Sequence, residues 1–249
     1  MPCPRLACPA RAARWHAFLL AAMLGCLALP AQAGEQAWSV HAFGIKVGEM
    51  RLKVSEADAR YTGAAAFRTT GLAGVLRRIR FSITSHGRLV SGRYQPDGYD
   101  GQIDTGKRVS ETRLDFAGTV PRKVSGAQDP AVPIPDAAKR GAHDPMTVMW
   151  QVLRDQSDET LCAFDQTQFD GTRLTRITLS ARKQVDEGTV TCNGRYDRIG
   201  GYSDEELAEM ATSPLSVTYR AVGAEGARWR AEGLSIVTRH GTATLHRRD

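Results

Sequence analysis

Apolar and polar residues alternate along most of the chain. Ile79, Phe81 and Ile83 are separated by arginine and serine, so this segment has one apolar face and one polar face. A period of two is typical of a β-strand in a sheet with one solvated face. Turn signals separate the runs, at Pro96-Asp97-Gly98, Asp170-Gly171, Asp186-Glu187-Gly188 and His240-Gly241. The pattern predicts a mainly β protein with an antiparallel sandwich or barrel.

Strands are expected throughout the chain from residue 38 onwards. The first ones alternate around Trp38, Val40 and Ala42, and around Met50, Leu52 and Val54. Further runs cover residues 61–70, 78–84, 92–99, 109–116, 161–169, 174–181, 188–196, 215–222, 227–237 and 243–246. Residues 125–142 are rich in proline, alanine and glycine, and they predict a long connection within one domain.

Two segments have helical patterns. Asp144-Pro145 places an acid at the N-cap and a proline at the first helical position. Ser203 and Glu206 form a capping box that predicts a second helix. The residues expected to face the core are Met146, Met149, Val152 and Leu153 in the first helix, and Leu207 and Met210 in the second. One or two short helices leave the class mainly β, with α+β by count as the alternative.

The stretch FGIKVGEM, residues 43–50, predicts a β-hairpin near the start of the sheet. Gly44 lets the chain turn after the first strand, and Gly48 permits a close backbone approach or a bend. A phosphate-binding loop would need a helix after the glycines. A strand follows here instead, because Met50, Leu52 and Val54 alternate with polar residues.

Residues 1–33 have the features of a secretory signal peptide. Arginines precede an apolar run over residues 18–29, and Ala31-Gln32-Ala33 provides small residues before Gly34. About 20 apolar residues are needed to span a bilayer, which argues against an uncleaved anchor. Leu24-Gly25-Cys26 raises a lipoprotein as an alternative. We expect cleavage before Gly34, a periplasmic location, and one β domain over residues 34–249.

Cleavage changes the charge and the cysteine count. Removing three arginines lowers the net charge from +6 to +3, which weakens a nucleic-acid interpretation. Cys162 and Cys192 are the cysteines that remain, and two cysteines in an exported chain predict one disulfide. A reactive or metal-binding pair is the alternative, but neither cysteine belongs to a Cys-x-x-Cys motif or has a histidine at ligand spacing.

The order of several short motifs resembles a family of proteobacterial periplasmic proteins, domain of unknown function 3108. The motifs are the 43–49 hairpin, Thr70-Gly71-Leu72-Ala73-Gly74, Asp144-Pro145, Cys162, Asp170-Gly171, and Cys192 with Gly194 and Gly200. The resemblance implies no catalytic residues. It implies a plan in which a curved antiparallel sheet, an open barrel or a β-spiral, wraps around a helix and an apolar cavity.

The inventory of chemical motifs supports no specific reaction. The histidines after residue 34 show neither an i, i+4 helical pair nor the H-E-x-x-H motif of a zinc site. The serines lack a G-x-S-x-G elbow, and the aspartates stand beside turns, where turn chemistry explains them. We therefore expect no catalytic residue, no cofactor and no metal ligand.

One segment combines apolar and basic side chains in a way that suits contact with a ligand or partner. Leu72, Val75 and Leu76 lie between glycines, and Arg78 and Arg80 follow on a strand. Buried packing at a barrel end and a solvated strand face are the simpler interpretations. The alternative is an apolar lip beside a basic strand, where an amphiphile or an anionic headgroup could bind.

These observations lead to a function hypothesis. The expected protein is a non-enzymatic periplasmic protein that binds an apolar or lipid-like ligand or an envelope protein, with at most peripheral membrane contact and no nucleic acid. The alternatives are an envelope interaction or structural protein without a small ligand, and a hydrolase that acts on envelope polymers.

Overall fold

The computed structural model describes residues 32–76, 78–107, 109–223 and 228–248, with the backbone alone for Gln32, Ala33 and Leu76. Except for Gln32 and Ala33, the predicted signal peptide lies outside the described residues. The described residues belong to one compact unit.

Within this part of the chain, thirteen strands form one antiparallel sheet. They are β1 (Gln32–Ala42), β2 (Ile45–Ala57), β3 (Arg60–Thr69), β4 (Arg80–Val90), β5 (Arg93–Asp104), β6 (Val109–Asp115), β7 (Arg122–Ser125), β8 (Phe164–Phe169), β9 (Leu174–Asp186), β10 (Thr189–Gly200), β11 (Thr212–Val222), β12 (Arg228–Thr238) and β13 (Gly241–Arg247). The helices are α1 (Gly71–Leu76), α2 (Asp136–Lys139), α3 (Pro145–Leu153) and α4 (Asp204–Met210).

The sheet consists of two meanders joined at the ends of the described chain. Its order is β7-β6-β5-β4-β3-β2-β1-β13-β12-β11-β10-β9-β8, so β1 pairs with β13 in the interior of the sheet. The edges β7 and β8 do not pair with each other. They approach at the turn after β8, where a Cβ added to Gly171 would lie 2.9 Å from Thr112 of β6. The sheet is therefore an open barrel, as the sequence predicted.

Alternation places large apolar side chains on the concave face. In β2, Met50, Leu52 and Val54 are buried, whereas Arg51 and Lys53 between them are exposed. Because side chains on a strand point alternately to opposite faces, this pattern gives the barrel an apolar inside and a polar outside.

The hairpin predicted from residues 43–50 is present between β1 and β2. Phe43 and Gly44 both have positive φ angles, 54° and 74°, which a two-residue turn of this kind requires. A Cβ added to Gly48 would lie 2.6 Å from the carbonyl oxygen of Arg68. The predicted close backbone approach at Gly48 is thus confirmed.

Helix α3 lies inside the curve of the sheet. Hydrogen bonds reach it from several strands: Tyr61 of β3 contacts Thr147 at 2.7 Å, Tyr219 of β11 donates to the Val152 carbonyl at 2.7 Å, and Gln36 of β1 donates to the Leu153 carbonyl at 3.0 Å. The buried side chains of α3 are Met146, Thr147, Val148, Trp150, Val152 and Leu153. The predicted position of this helix, against the concave face, is confirmed.

Several details differ from the sequence predictions. Met149 is only partly buried, and α4, which begins at the predicted capping box, has no fully buried residue, so Leu207 and Met210 are half-buried. The short elements α1, α2 and β7 were not predicted as such. They have four to six residues and no side-chain cap at α2, which leaves too little pattern to recognise.

Candidate functional site

One end of the barrel presents four large apolar side chains to solvent. Phe43 is 72% exposed, Ile45 68%, Leu72 82% and Val75 84%. We call the surface formed by these four residues the α1 end. The buried packing expected for Leu72 and Val75 is therefore wrong, and the side chain of Leu76 lies outside the described residues.

Backbone contacts bring these residues to the same place. The amide of Thr70, just before α1, donates to the carbonyl of Val47 at 3.1 Å, which fixes α1 beside the start of β2. Phe43 and Ile45 flank the adjacent turn. A Cβ added to Gly241 would lie 2.8 Å from the Phe43 ring, so the turn between β12 and β13 continues the same end.

The local sequence of α1 explains why its large residues face outward. Leu72 and Val75 are three positions apart and share one face of the helix. Ala73 and Gly74 are half-buried, and a Cβ on Gly74 would lie 3.0 Å from the Thr69 carbonyl oxygen. Small residues thus pack on the sheet and large residues face solvent, the reverse of an ordinary surface helix.

A cluster of basic side chains lies on the outer wall near this end. Glu49 of β2 has Lys46 at 2.7 Å, Arg248 at 2.7 Å and Arg68 at 3.8 Å. The hydrogen bond and the charge of Lys46, followed by the charge of Arg248, lower the pKa of Glu49. Three cations around one carboxylate leave a local excess of positive charge on the outer wall.

The arginines predicted from the sequence lie next to α1. Arg78 is exposed, but it lies in the segment between α1 and β4 and not on the predicted strand, which begins at Arg80. Arg80 forms a 3.0 Å ion pair with Asp104 of β5. The backbone amide of Gly106 and then the hydrogen bond from Arg80 lower the pKa of Asp104. The structure thus places Leu72, Val75, Arg78 and Arg80 close together and exposed.

The site prediction missed Phe43 and Ile45. A signal was present in the sequence, because turn tips favour glycine, asparagine, aspartate and proline. Here two large apolar residues flank Gly44 instead. Apolar side chains at a hairpin tip have no core to enter, and in this protein they extend the exposed surface of α1.

Inside the barrel, the polar groups serve the fold. Asp144 is fully buried at the N-cap of α3 and accepts hydrogen bonds from the Thr147 amide at 2.9 Å, the Thr147 hydroxyl at 2.6 Å and the Ser85 hydroxyl at 2.9 Å. Burial raises the pKa of Asp144, and these hydrogen bonds oppose the shift. With no solvent access, this cluster positions the helix.

Cys162 and Cys192 form the predicted disulfide. Their Cα atoms are 5.1 Å apart. Cys162 precedes β8 and Cys192 lies in β10, so the bond spans β9. In the part of the chain described, no three His, Cys, Asp or Glu side chains are grouped to hold a metal ion. No helix among these residues is both long enough and apolar enough to cross a membrane.

The fold and the site define an open β-barrel with an internal helix and an apolar, basic end. The chain belongs to the DUF3108 family of proteins of unknown function, whose family model matches residues 37–195. It is also similar to a β-barrel-like protein of domain of unknown function DUF1849 from Brucella abortus, with 9% identity over 88% of this chain and 96% of that chain, and a TM-score of 0.48. None of the curated proteins compared with the chain matches it.

Proposed function

We propose that this is a non-enzymatic protein of the periplasm that binds a lipid-like ligand through the α1 end, in peripheral contact with anionic headgroups. The observation that carries the proposal is the exposure of Phe43, Ile45, Leu72 and Val75 at one end, between 68% and 84%. Contiguous exposed apolar surface rimmed by polar residues marks interaction sites.

The energetics support a surface contact. Burying one large apolar side chain contributes about 1.5–3 kcal/mol, so four such residues can offset much of the cost of association. Each lysine or arginine near an anionic surface adds about 1 kcal/mol. Arg78 follows Val75 by three positions and Lys46 follows Ile45 directly, so both cations are close to the apolar residues.

The interior of the barrel supports contact at the outer end. Helix α3 lies within the curve of the sheet, and its buried residues join those of the strands in one hydrophobic cluster. An acyl chain would have to displace this helix to enter the barrel centre. Contact through the α1 end needs no such rearrangement.

Vesicle co-sedimentation tests the proposal. The protein is purified from cells that express the full chain, and its intact mass first establishes whether residues 1–33 remain, since their apolar run would bind vesicles by itself. Wild type should bind phosphatidylglycerol vesicles more strongly than phosphatidylcholine vesicles. The double substitution Leu72→Ser with Val75→Ser should weaken binding at least tenfold.

The matched control is Val185→Ser, which removes an apolar side chain that is 57% exposed near the end of β9. It should leave vesicle binding and the melting temperature unchanged. Equal binding by wild type and the double variant would contradict the lipid contact. Crosslinking to an envelope protein through the α1 end, without vesicle binding, would favour a structural or interaction role instead.

A further inference from the structure

Arg154 follows α3 at the opposite end of the barrel, where the β2–β3 and β4–β5 turns lie. Its side chain is half-buried, and its Nε atom is buried without a hydrogen-bond partner. The guanidinium lies over the ring of Tyr94, 5.3 Å from the ring centre. Among the described residues, no carboxylate forms an ion pair with it.

The carboxylates nearest to Arg154 in the sequence and in the cleft have other partners. Asp155 pairs with Arg230 at 3.3 Å, and Glu56 accepts a hydrogen bond from the Tyr94 hydroxyl. A partly buried cation normally has a counter-charge, because desolvation without one is costly. Asp155 and Glu56 thus have partners in the protein, whereas the Arg154 guanidinium has no carboxylate partner among the described residues.

The carbonyl groups at the end of α3 are also occupied. Tyr219 donates to the Val152 carbonyl and Gln36 to the Leu153 carbonyl, while Gln156 donates to the carbonyls of residues 151 and 154. An arginine near a helix C-terminus often binds these oxygens. Here two strand residues and Gln156 satisfy them, which leaves the Arg154 guanidinium available for another anion.

Two clefts meet at Arg154. The first, of about 380 Å³, is lined mainly by charged residues: Glu35, Glu56, Asp155, Arg228, Arg230 and Arg247. The second, of about 440 Å³, has an inner wall of aromatic and aliphatic side chains and a polar rim, and we call it the aromatic cleft. The inner wall comes from Tyr94, Val152, Phe164, Leu179 and Tyr219, and the rim from Arg93, Gln151, Gln156 and Thr160. Its volume falls within the range of small-molecule sites, about 300–1,000 Å³.

We infer that the aromatic cleft binds a small amphiphile with an anionic head, and that Arg154 holds the head. The planar guanidinium, with donors in a fixed fork, matches a carboxylate or a phosphate. The apolar part of the ligand lies along Tyr94, Leu179 and Phe164. This site is separate from the α1 end and does not depend on the function proposed above.

Isothermal titration calorimetry with three soluble probes tests the inference: decanoate, decyl phosphate and neutral decanol. At least one of the two anions should bind with 1:1 stoichiometry and at least tenfold more tightly than decanol. The preferred anion identifies the head group as carboxylate or phosphate. Absence of binding by both anions, or equal affinity for decanol, overturns the inference.

Substitutions place the site on the molecule. Arg154→Gln should weaken anion binding at least tenfold, whereas Arg195→Gln, an exposed arginine on the outer wall of β10, should not change it. Ala163→Trp provides a second test, because Ala163 is exposed at the rim of the aromatic cleft and a large ring there should block entry without disturbing the core.

Unchanged decanoate or decyl phosphate affinity in an Ala163→Trp variant with wild-type melting temperature would overturn the assignment to this cleft. The Leu72→Ser, Val75→Ser variant should bind the anions like wild type, and Arg154→Gln should bind vesicles like wild type. These two cross-tests distinguish failure of this site from failure of the proposed function.

Discussion

Asp144 is a buried carboxylate that caps α3 and also binds a strand of the sheet. Its carboxyl group has no exposed surface and no ion-pair partner among the described residues, yet it accepts hydrogen bonds from Thr147 and Ser85. It therefore joins the start of α3 to β4. A capping residue visible in the sequence also serves as a tie across the core.

Replacing Asp144 with alanine should lower the free energy of unfolding by about 3 kcal/mol. The change removes an N-cap, worth about 1 kcal/mol, and leaves buried hydroxyl and amide donors without an acceptor, which costs about 1–3 kcal/mol more. Urea denaturation measures the loss. Ser203→Ala is the matched control: it removes the N-cap of α4, a helix with no fully buried residue, and should cost about 1 kcal/mol. Equal losses for the two variants would refute the tie.

At the scale of elements, α3 organises the barrel through one buried face. Met146 is fully buried and lies against Gly63 of β3, whereas Met149 is only partly buried. The helical period of the apolar residues predicted the helix and its inward face. Which of the two methionines is more buried depends on how the sheet curves around the helix. The residue pattern of a single strand does not define that curvature.

Met146→Asp should therefore destabilise the fold more than Met149→Asp. An unpaired charge at the fully buried position should cost about 4 kcal/mol or more, since it loses both apolar burial and hydration. At position 149 the carboxylate can reach solvent, and the loss should be about half as large. Thermal unfolding of both variants makes the comparison. A larger loss at position 149 would show that the helix face is rotated from the one described.

The sequence predicted the strands other than β7, both capped helices and the disulfide, because each has a local signal: alternation, a cap, or paired cysteines. It predicted Arg78 and Arg80 as exposed for the same reason. It did not predict the outward direction of Leu72 and Val75, since that depends on Ala73 and Gly74 packing against β3 and β2. No sequence pattern predicted the role of Arg154. It lacks a counter-charge because residues remote in the sequence bind the carboxylates and carbonyl groups near it.

At the scale of the whole molecule, the Cys162–Cys192 disulfide fastens the segment after α3 to the second meander. It closes a loop with a sequence separation of 30 residues. In the chain-entropy model such a loop contributes about 3.5 kcal/mol. Cys162 lines the aromatic cleft and lies away from the α1 end, so at the α1 end the loss of the bond should change stability and not binding.

Replacing both cysteines with serine should lower the melting temperature by about 10 °C, because 1 kcal/mol shifts a domain of this size by about 2–4 °C. Vesicle binding through the α1 end should persist at low temperature. Wild type in a strong reductant should melt like the variant, which provides the control. Retained stability together with lost vesicle binding would show that the cysteines act in function.

The pairing of β1 with β13 has a consequence for how the molecule is assembled. Trp38 and Arg247 are opposite each other in the sheet although 209 positions separate them in the sequence. Contacts of such long range form slowly, because a large loop must close first. Until β13 is in place, the two meanders remain separate, and β1 and β12 present unpaired edges that invite aggregation. The strand edges that folding intermediates expose to aggregation are therefore the ones that lie in the interior of the sheet once β13 has paired.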